Sequence, residues 1–214
     1  MAVAGLKTSA TIHYPERDGK PMGETDAHIA QILDLRFSLS RHFRDDPQVY
    51  VAADLLFYYV EGDPKEFVVP DVFVVRGVPK GERRVYKLWE EGHAPQVVFE
   101  ITSPSTRRED LGTKKVLYAD LGVREYFLFD PAGEVRPPLL GFRLIGAEYQ
   151  ALQAPLVSER LGLDLRVEAN RLRLYDRRTG KKLLTAEEEA ELREAAEAEI
   201  ERLRAELERL KGKP

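Results

Sequence analysis

Apolar residues recur at helical spacing in the segment that follows Thr25, whereas the first 24 residues carry scattered proline and glycine. The apolar stripe consists of His28, Ile32, Leu35, Leu39 and Phe43. Such a stripe is typical of a helix that packs one face on a core, with Thr25 as its N-cap. The sequence therefore predicts an irregular lead-in over 1–24 and a helix that ends near Phe43.

Runs of β-branched and aromatic residues predict the strands of a sheet. Two long runs cover residues 49–60 and 66–77, and two shorter runs cover 95–102 and 124–131. Pro70 lies inside the second run and lacks a backbone N–H, which predicts a sheet edge or a bulge at that point.

The segment between the last two runs has the end signals of a helix. Thr106 and Glu109 are spaced as a capping box, and Gly122 stands where a glycine often ends a helix. Residues 139–183 alternate apolar and polar positions and predict a smaller antiparallel sheet, followed by a charged helix from Thr185. The predicted fold class is α/β (α+β), a mixed sheet flanked by helices, with a β-rich extension and a charged helical tail.

The composition is typical of a globular protein, and the net negative charge lies in the C-terminal tail. Of the 214 residues 43% are hydrophobic and 33% charged, and no stretch approaches the roughly 18 apolar residues of a membrane span. The chain has no cysteine, which excludes disulfides and thiolate sites, and we expect a cytoplasmic protein without a secretory signal. Residues 186–214 hold ten acidic and six basic groups, so the net charge of −4 belongs to the tail and the rest is neutral.

Two carboxylates occupy positions that strands disfavour. Asp71 directly follows Pro70 at the start of an apolar run, and Glu100 lies inside the run at 95–102. Carboxylates on neighbouring strands repel each other unless a positive group lies between them, and oxygen-seeking Mg²⁺ would meet that need. Asp71 has an alternative role as a strand-end aspartate that accepts hydrogen bonds from amides of its own turn.

Lys114 lies on the apolar side of the predicted helix. The apolar residues within about 60° of it on a helical wheel are Leu111, Leu117, Tyr118 and Leu121. Lys114 should therefore point towards the sheet that carries Glu100, with Asp110 on the same side. A buried Glu100–Lys114 ion pair explains both residues without a metal, and an exposed Asp110–Lys114 pair is a further alternative.

Three motifs in order resemble a known family. They are "PD" at 70–71, "VVFEITSPST" at 97–106 and "DLGTKKVLYADLGVREYFLFDP" at 110–131. Over about residues 12–185 the chain resembles the Uma family of restriction endonuclease-like proteins, members of the PD-(D/E)XK nuclease superfamily. The resemblance implies a restriction endonuclease-like domain over 1–184 and a separate helix over 185–214.

The resemblance also implies a reaction and the residues that perform it. Asp71 and Glu100 would bind Mg²⁺ or Mn²⁺, and Lys114 would take the place of the lysine that the motif expects at Thr102. The implied activity is metal-dependent hydrolysis of DNA phosphodiester bonds. Two alternatives are a catalytically inactive nuclease-fold protein that acts as a nucleic-acid-binding or assembly module, and a nuclease for RNA or branched DNA.

Several residues are auxiliary candidates around this site. Many nucleases of this superfamily place an acid from the first helix near the metal, so the resemblance makes Glu24, just before the predicted cap, an auxiliary candidate. His28 is either auxiliary or a core histidine, and Asp110 lies beside Lys114. Arg107 and Arg108 begin the predicted helix, where amides favour anions, and could bind a phosphate. A second basic group, Arg83, Arg84 and Lys87, is explained equally well by a solvated loop.

The tail carries a short heptad pattern. Ile200, Leu203, Leu207 and Leu210 follow 4-3 spacing, and Ala196 fits one step earlier. An isolated helix with about two heptads is marginal in water, so the pattern favours a coiled coil and self-association through residues 185–212. The alternative is a solvated helix held by Glu–Arg pairs.

Overall fold

Twelve strands and five helices form within the residues that the structure, a computed structural model, describes, namely 12–19, 25–103, 106–134 and 136–211. The helices are α1 (Asp26–His42), α2 (Leu88–Glu91), α3 (Arg107–Leu111), α4 (Thr113–Asp120) and α5 (Ala186–Lys211). The first six strands are β1 (Val49–Ala53), β2 (Phe57–Tyr58), β3 (Phe67–Val68), β4 (Val72–Arg76), β5 (Tyr86–Lys87) and β6 (Val97–Ile101). The others are β7 (Glu125–Phe129), β8 (Leu139–Ile145), β9 (Glu148–Ala151), β10 (Leu156–Ser158), β11 (Leu163–Glu168) and β12 (Arg171–Asp176).

The largest sheet has six strands in the order β1–β4–β6–β7–β8–β9. Strands β6 and β7 run parallel, and the other neighbouring pairs of this sheet are antiparallel. Two three-stranded sheets, β3–β2–β5 and β10–β11–β12, accompany it. The predicted class, a mixed sheet flanked by helices with a charged helical tail, is confirmed.

Strand β6 lies at the centre of the molecule, and all five of its residues are buried. Val97, Phe99 and Ile101 pack in one cluster with α1, while Val98 packs in a second cluster with Tyr118 of α4. Burying a side chain of this size contributes about 1.5–3 kcal/mol. Since both faces are covered, a charged residue in β6 has to find its partners inside the protein.

Helix α1 forms as predicted. Thr25 Oγ1 accepts a hydrogen bond from the His28 amide at 3.3 Å, and the predicted stripe is buried. Gln31, on the same face, donates to the Leu172 carbonyl at 3.2 Å and accepts from the Leu172 amide at 2.9 Å. This pair of hydrogen bonds joins α1 to β12.

The single strands predicted over 49–60 and 66–77 are wrong, because each run divides. Asp54 adopts a left-handed backbone (φ 48°), which separates β1 from β2, and its amide donates to the Asp71 carbonyl at 3.1 Å. Pro70 lies between β3 and β4, and β4 sits inside the large sheet, so the proline marks a break and not a sheet edge.

The single helix predicted after Thr106 is also two helices, α3 and α4, with Gly112 between them. A β-carbon on Gly112 would lie 2.8 Å from the Arg108 carbonyl oxygen, so the chain passes too closely for another residue. The predicted capping box is absent, since the Thr106 hydroxyl accepts from the Ser103 amide instead. Gly122 ends α4 as predicted, with φ 78° and the Schellman bonds Gly122 N–H to Ala119 and Val123 N–H to Tyr118.

The β-rich segment 139–183 is only partly the separate sheet that the alternation predicts. Strands β8 and β9 extend the large sheet, because β8 pairs antiparallel with β7, and β10–β12 form the small sheet. None of the helices in the described part of the chain is long and apolar enough to cross a membrane.

The tail helix α5 is bonded to the rest of the molecule through its first turn. Thr185 and Glu188 form a capping box, with N–H to side-chain distances of 2.9 and 3.3 Å. Glu188 also pairs with Arg173 and Lys182, and Glu189 pairs with Arg41 at 2.7 Å. No residue of α5 is buried.

Candidate active site

Asp71 lies directly before β4 and is held by the neighbouring strand. Its Oδ2 accepts a hydrogen bond from the Ile101 amide at 2.6 Å, and His28 Nε2 lies 3.5 Å from its Oδ1. The partner amide thus belongs to β6, whereas the alternative role required amides of the aspartate's own turn. The interruption at Pro70 directs this carboxylate across the sheet.

Glu100 is the next residue of β6 beyond the pair Val72–Phe99, so it adjoins Asp71. The Asp71 amide lies 3.4 Å from Glu100 Oε2, and the Tyr118 hydroxyl donates to Oε1 at 2.6 Å. The glutamate is 1% exposed. The two carboxylates therefore meet at one end of β4 and β6, beneath helix α4.

Lys114 extends from α4 into the same group of acids. Its Nζ lies 3.0 Å from Glu100 Oε2 and 3.1 Å from Asp110 Oδ1, and its side chain is 16% exposed. Asp110 is buried, so the alternative of an exposed Asp110–Lys114 pair does not hold. A buried ion pair persists only with good geometry and further hydrogen bonds, which Tyr118 supplies to Glu100.

Asp71, Glu100, Asp110 and Lys114 form an acid–lysine cluster in which burial and mutual charge shift the pKa values of Glu100 and Lys114. Burial raises the pKa of Glu100, with Lys114 opposing and the other two acids adding to the rise. Burial lowers the pKa of Lys114, but the three carboxylates outweigh it and the net shift is upward. When ionised, three carboxylates share one ammonium, so the cluster favours additional positive charge.

The residues of the cluster fit a divalent cation that keeps most of its water. Among residues 12–19, 25–103, 106–134 and 136–211, no group of three or more histidine or acidic side chains is arranged to hold a metal. Mg²⁺, however, is commonly bound by one or two carboxylates and several waters, which Asp71 and Glu100 can provide. Asp110 Oδ1 is buried and already has the Lys114 ammonium as its positive partner at 3.1 Å, so it is not counted among the cation's ligands.

The other predicted residues are distributed unevenly around the cluster. His28 reaches Asp71, whereas Glu24 lies outside the described residues. Arg107 and Arg108 line a surface cavity of about 500 Å³ together with Leu111 and Gly112. Helix α3 has only five residues, so an anion there would depend on the arginine side chains more than on a helix dipole.

The second basic group does not form a positive patch. Arg83 pairs with Glu91, Arg84 with Glu16 and Lys87 with Glu90, each at 2.5–2.9 Å. All three charges are therefore paired, but a solvated loop describes Arg84 alone, because the Arg83 side chain is 12% exposed and Lys87 belongs to β5.

Two residues of the site were missed by the sequence argument. Tyr118 was assigned to the apolar stripe, although its position four residues after Lys114 places its hydroxyl towards the same acid. Asp54 was included in a strand, although an aspartate inside an apolar run is a signal of a turn. Burial raises the pKa of Asp54, and the nearby Asp71 carboxylate raises it further.

A mixed sheet with two acids on adjoining strand ends and a lysine from the following helix defines a restriction endonuclease-like protein. The chain belongs to the Uma2 family, described as "Putative restriction endonuclease", whose model matches residues 10–178. The family expected from the three motifs is thereby confirmed.

Solved structures support the fold. The chain is similar to a protein from Anabaena variabilis whose crystal structure is titled as that of a putative nuclease belonging to DUF820, with a TM-score of 0.50 and 18% identity. The match covers 66% of this chain and 76% of the other. A comparison with curated proteins gave no match.

Proposed function

We propose that this protein is a metal-dependent endonuclease that hydrolyses DNA phosphodiester bonds. The observation that carries the proposal is the acid–lysine cluster, in which Lys114 Nζ lies 3.0 Å from Glu100 and Asp71 adjoins the same glutamate. Membership of a family described as "Putative restriction endonuclease" supports a nuclease. An inward lysine among buried acids is costly, and a role in phosphate chemistry explains why it is there.

Asp71 and Glu100 are the proposed ligands of Mg²⁺ or Mn²⁺. When bound, such a cation polarises a phosphodiester and lowers the pKa of a bound water. The Ile101 amide and Tyr118 hydroxyl fix the two carboxylates, so that little reorganisation accompanies binding.

Lys114 is proposed to offset the negative charge that develops on the phosphate. Glu100 and Asp110 hold its ammonium in place at 3.0 and 3.1 Å. Arg107 and Arg108 would bind a neighbouring phosphate at the adjacent cavity.

The test is cleavage of plasmid DNA in Mg²⁺ and in Mn²⁺ by the wild type and by Asp71→Ala and Lys114→Ala. We expect each variant to lose at least about 100-fold in rate, the scale of removing one charge-stabilising group. Lys115→Ala is the matched control, because Lys115 lies on the same helix and stacks its ammonium 4.1 Å from the Phe142 ring. Equal cleavage by all four proteins would refute the proposed site.

A specific observation favours the second candidate, a catalytically inactive binding or assembly module. Both oxygens of Glu100 already have protein partners, and the Asp71 oxygens face the Ile101 amide and His28 Nε2, so protein groups alone hold the two carboxylates in place. Titration of the full chain with Mn²⁺ separates the two candidates, because an inactive module gives neither cation binding dependent on Asp71 nor cleavage. Single-stranded DNA, branched DNA and RNA tested in the same assay distinguish the substrate classes.

We also propose that residues 185–212 associate with another copy of the chain and that 1–184 forms a separate domain. The apolar residues of the tail heptads are exposed in the single chain, which supports a partner. Sedimentation equilibrium of the full chain, with Leu203→Glu as the variant, measures this association. We expect the wild type to be oligomeric and the variant to have the mass of one chain.

A further inference from the structure

The outer part of α5 presents apolar side chains that no described residue covers. Ile200, Leu203, Leu207 and Leu210 are between 47% and 64% exposed. Elsewhere in the fold most such side chains are buried in two clusters. A contiguous apolar stripe of this kind is typical of a protein interface.

The position of α5 makes this stripe available to a partner. The bonds to Arg41, Arg173 and Lys182 all involve Glu188 or Glu189, at the start of the helix. A helix of 26 residues is about 39 Å long, and an isolated helix with so few apolar contacts is marginal. A second helix along the stripe would stabilise it.

The residue types along the stripe favour two strands. In the heptad register Ile200 and Leu207 occupy a positions, and Ala196, Leu203 and Leu210 occupy d positions. Isoleucine at a with leucine at d, the combination at Ile200 and Leu203, favours parallel dimers over trimers or tetramers. The tail is therefore suited to pairing with one other helix.

The charges beside the stripe select the orientation of the pair. Positions g hold Glu199 and Glu206, and the following e positions hold Arg204 and Lys211. In a parallel, in-register pair each g residue faces the next e residue of the partner, so each glutamate meets a cation. In an antiparallel pair g faces g, and glutamate would meet glutamate.

Within the single chain, Arg204 and Lys211 already form ion pairs, but these pairs are weak. Arg204 pairs with Glu201 and Lys211 with Glu208, both at i,i+3 spacing on the exposed surface. Exposed pairs contribute little to stability, so the contacts across the pair would fix its orientation more than its strength.

We propose that residues 196–210 form a parallel, in-register, two-stranded coiled coil with a second copy of this chain. The proposal rests on the self-association proposed above and adds its partner, strand number and direction. Because α5 starts from the same bonded turn in each copy, both nuclease folds would lie at the same end of the coil. Two candidate active sites would then be presented together.

The absence of native cysteine permits a direct test in the full chain. Ala196→Cys and Leu210→Cys each place one thiol at a d position, where residues of a parallel pair approach within disulfide range. We expect each variant alone to form a disulfide-linked dimer on oxidation. Ala205→Cys, at the outward f position, is the matched control and should stay unlinked.

A mixture of the two d-position variants, each with a different affinity tag, distinguishes parallel from antiparallel pairing. Positions 196 and 210 lie about 21 Å apart along the helix, so parallel pairs give no mixed disulfide. Disulfides that form only in the mixture indicate antiparallel pairing and overturn this proposal while leaving self-association intact. A trimer or tetramer mass overturns the strand number, and a single-chain mass of the cysteine-free protein overturns self-association itself.

Discussion

The ammonium of Lys114 contacts two buried carboxylates, and its removal would leave both without their cation. Breaking a buried pair by deleting one partner costs about 3–5 kcal/mol, because the remaining charge stays desolvated. Glu100 can relieve part of this cost by binding a proton, since burial raises its pKa and the opposing effect of the Lys114 charge would be gone. The lysine is thus a structural residue as well as a proposed catalytic one.

For Lys114→Met we expect the free energy of unfolding at pH 7 to fall by about 2–4 kcal/mol, measured by urea denaturation. Lys115→Met is the control; it loses only the contact of its ammonium with the Phe142 ring and should lower it by no more than about 1 kcal/mol. A Lys114→Met protein as stable as the wild type would contradict the ion pairs described here.

Tyr118→Phe removes one hydroxyl and leaves the ring in place. The Glu100 Oε1 atom would lose its donor at 2.6 Å, and an unsatisfied buried acceptor costs about 1–3 kcal/mol. We expect a loss of this size in urea denaturation, together with weaker Mn²⁺ binding by calorimetry. Tyr149→Phe, which removes a hydrogen bond to the Val123 carbonyl away from the acids, should lower stability without changing Mn²⁺ binding.

At the residue scale the sequence could predict the acids and the lysine but not all their partners. Asp71 and Glu100 stand out because strands disfavour carboxylates, and Lys114 stands out because it interrupts an apolar stripe. Tyr118 does not stand out in the sequence. A tyrosine on a core face is interpreted as an apolar residue unless the partner of its hydroxyl is known.

Among the elements, the break between α3 and α4 determines where Lys114 and Asp110 meet. The two helices flank Gly112, whose backbone (φ −109°, ψ −97°) is not helical. The helical-wheel estimate assumed one continuous helix, yet the i,i+4 neighbours still approach within 3.1 Å across the break. The sequence could not show that the predicted Thr106–Glu109 capping box fails to form. It fails because the Ser103 amide donates to the Thr106 hydroxyl instead.

Gly112→Ala tests this break. The added β-carbon would meet the Arg108 carbonyl oxygen at 2.8 Å, and backbone cannot move away cheaply. We expect a loss of about 1–3 kcal/mol, the scale of overpacking, in thermal or urea unfolding. Since φ at Gly112 is negative, a loss would report the close contact and not left-handed strain, and an unchanged midpoint would show that the contact is absent.

The first turn of α5 has a pH dependence that Glu188 controls. Burial raises the pKa of Glu188, but hydrogen bonds from Lys182, the Thr185 amide and Arg173 outweigh it and lower the pKa to about 2. A carboxyl with a lowered folded pKa stabilises the fold above its unfolded value near 4.5, and this contribution is lost as pH falls towards 2. We expect wild-type stability to decline in this range.

Glu188→Gln tests whether titration of Glu188 causes this loss of stability at low pH. The variant should be less stable than the wild type at pH 6, and the difference should shrink between pH 4.5 and 2, measured by urea denaturation at each pH. Glu187→Gln, beside it on the same turn, serves as control. A difference that stays constant with pH would exclude Glu188 as the titrating group.

For the whole molecule, charge is divided between a neutral body and an acidic tail. The family and the mixed sheet could be predicted because the three motifs follow one another along strands and a helix. That β8 and β9 belong to the large sheet could not be predicted. An alternation of apolar and polar residues predicts which face of a strand is buried but not which strand lies beside it.

For the proposed DNA substrate, a neutral body implies that affinity depends on a few local contacts. Each phosphate contact contributes about −0.9 to the slope of log K against log salt concentration. We expect Arg107→Ala combined with Arg108→Ala to reduce the magnitude of this slope by up to about 2, measured by fluorescence anisotropy. Arg84→Ala, whose guanidinium pairs with Glu16, should leave the slope unchanged.

The two hydrogen bonds between Gln31 and Leu172 span 141 residues of sequence and are buried. During synthesis α1 emerges long before its β12 partner exists. The hydrogen bonds between Gln31 and Leu172 can therefore form only after most of the chain has been made. A nascent chain stopped before residue 172 would expose the unsatisfied Gln31 amide and the part of α1 that faces β12, which is the kind of surface that chaperones bind. Folding of this protein should therefore be completed late in translation, and ribosome-stalled chains should become protease-resistant only after β12 has left the exit tunnel.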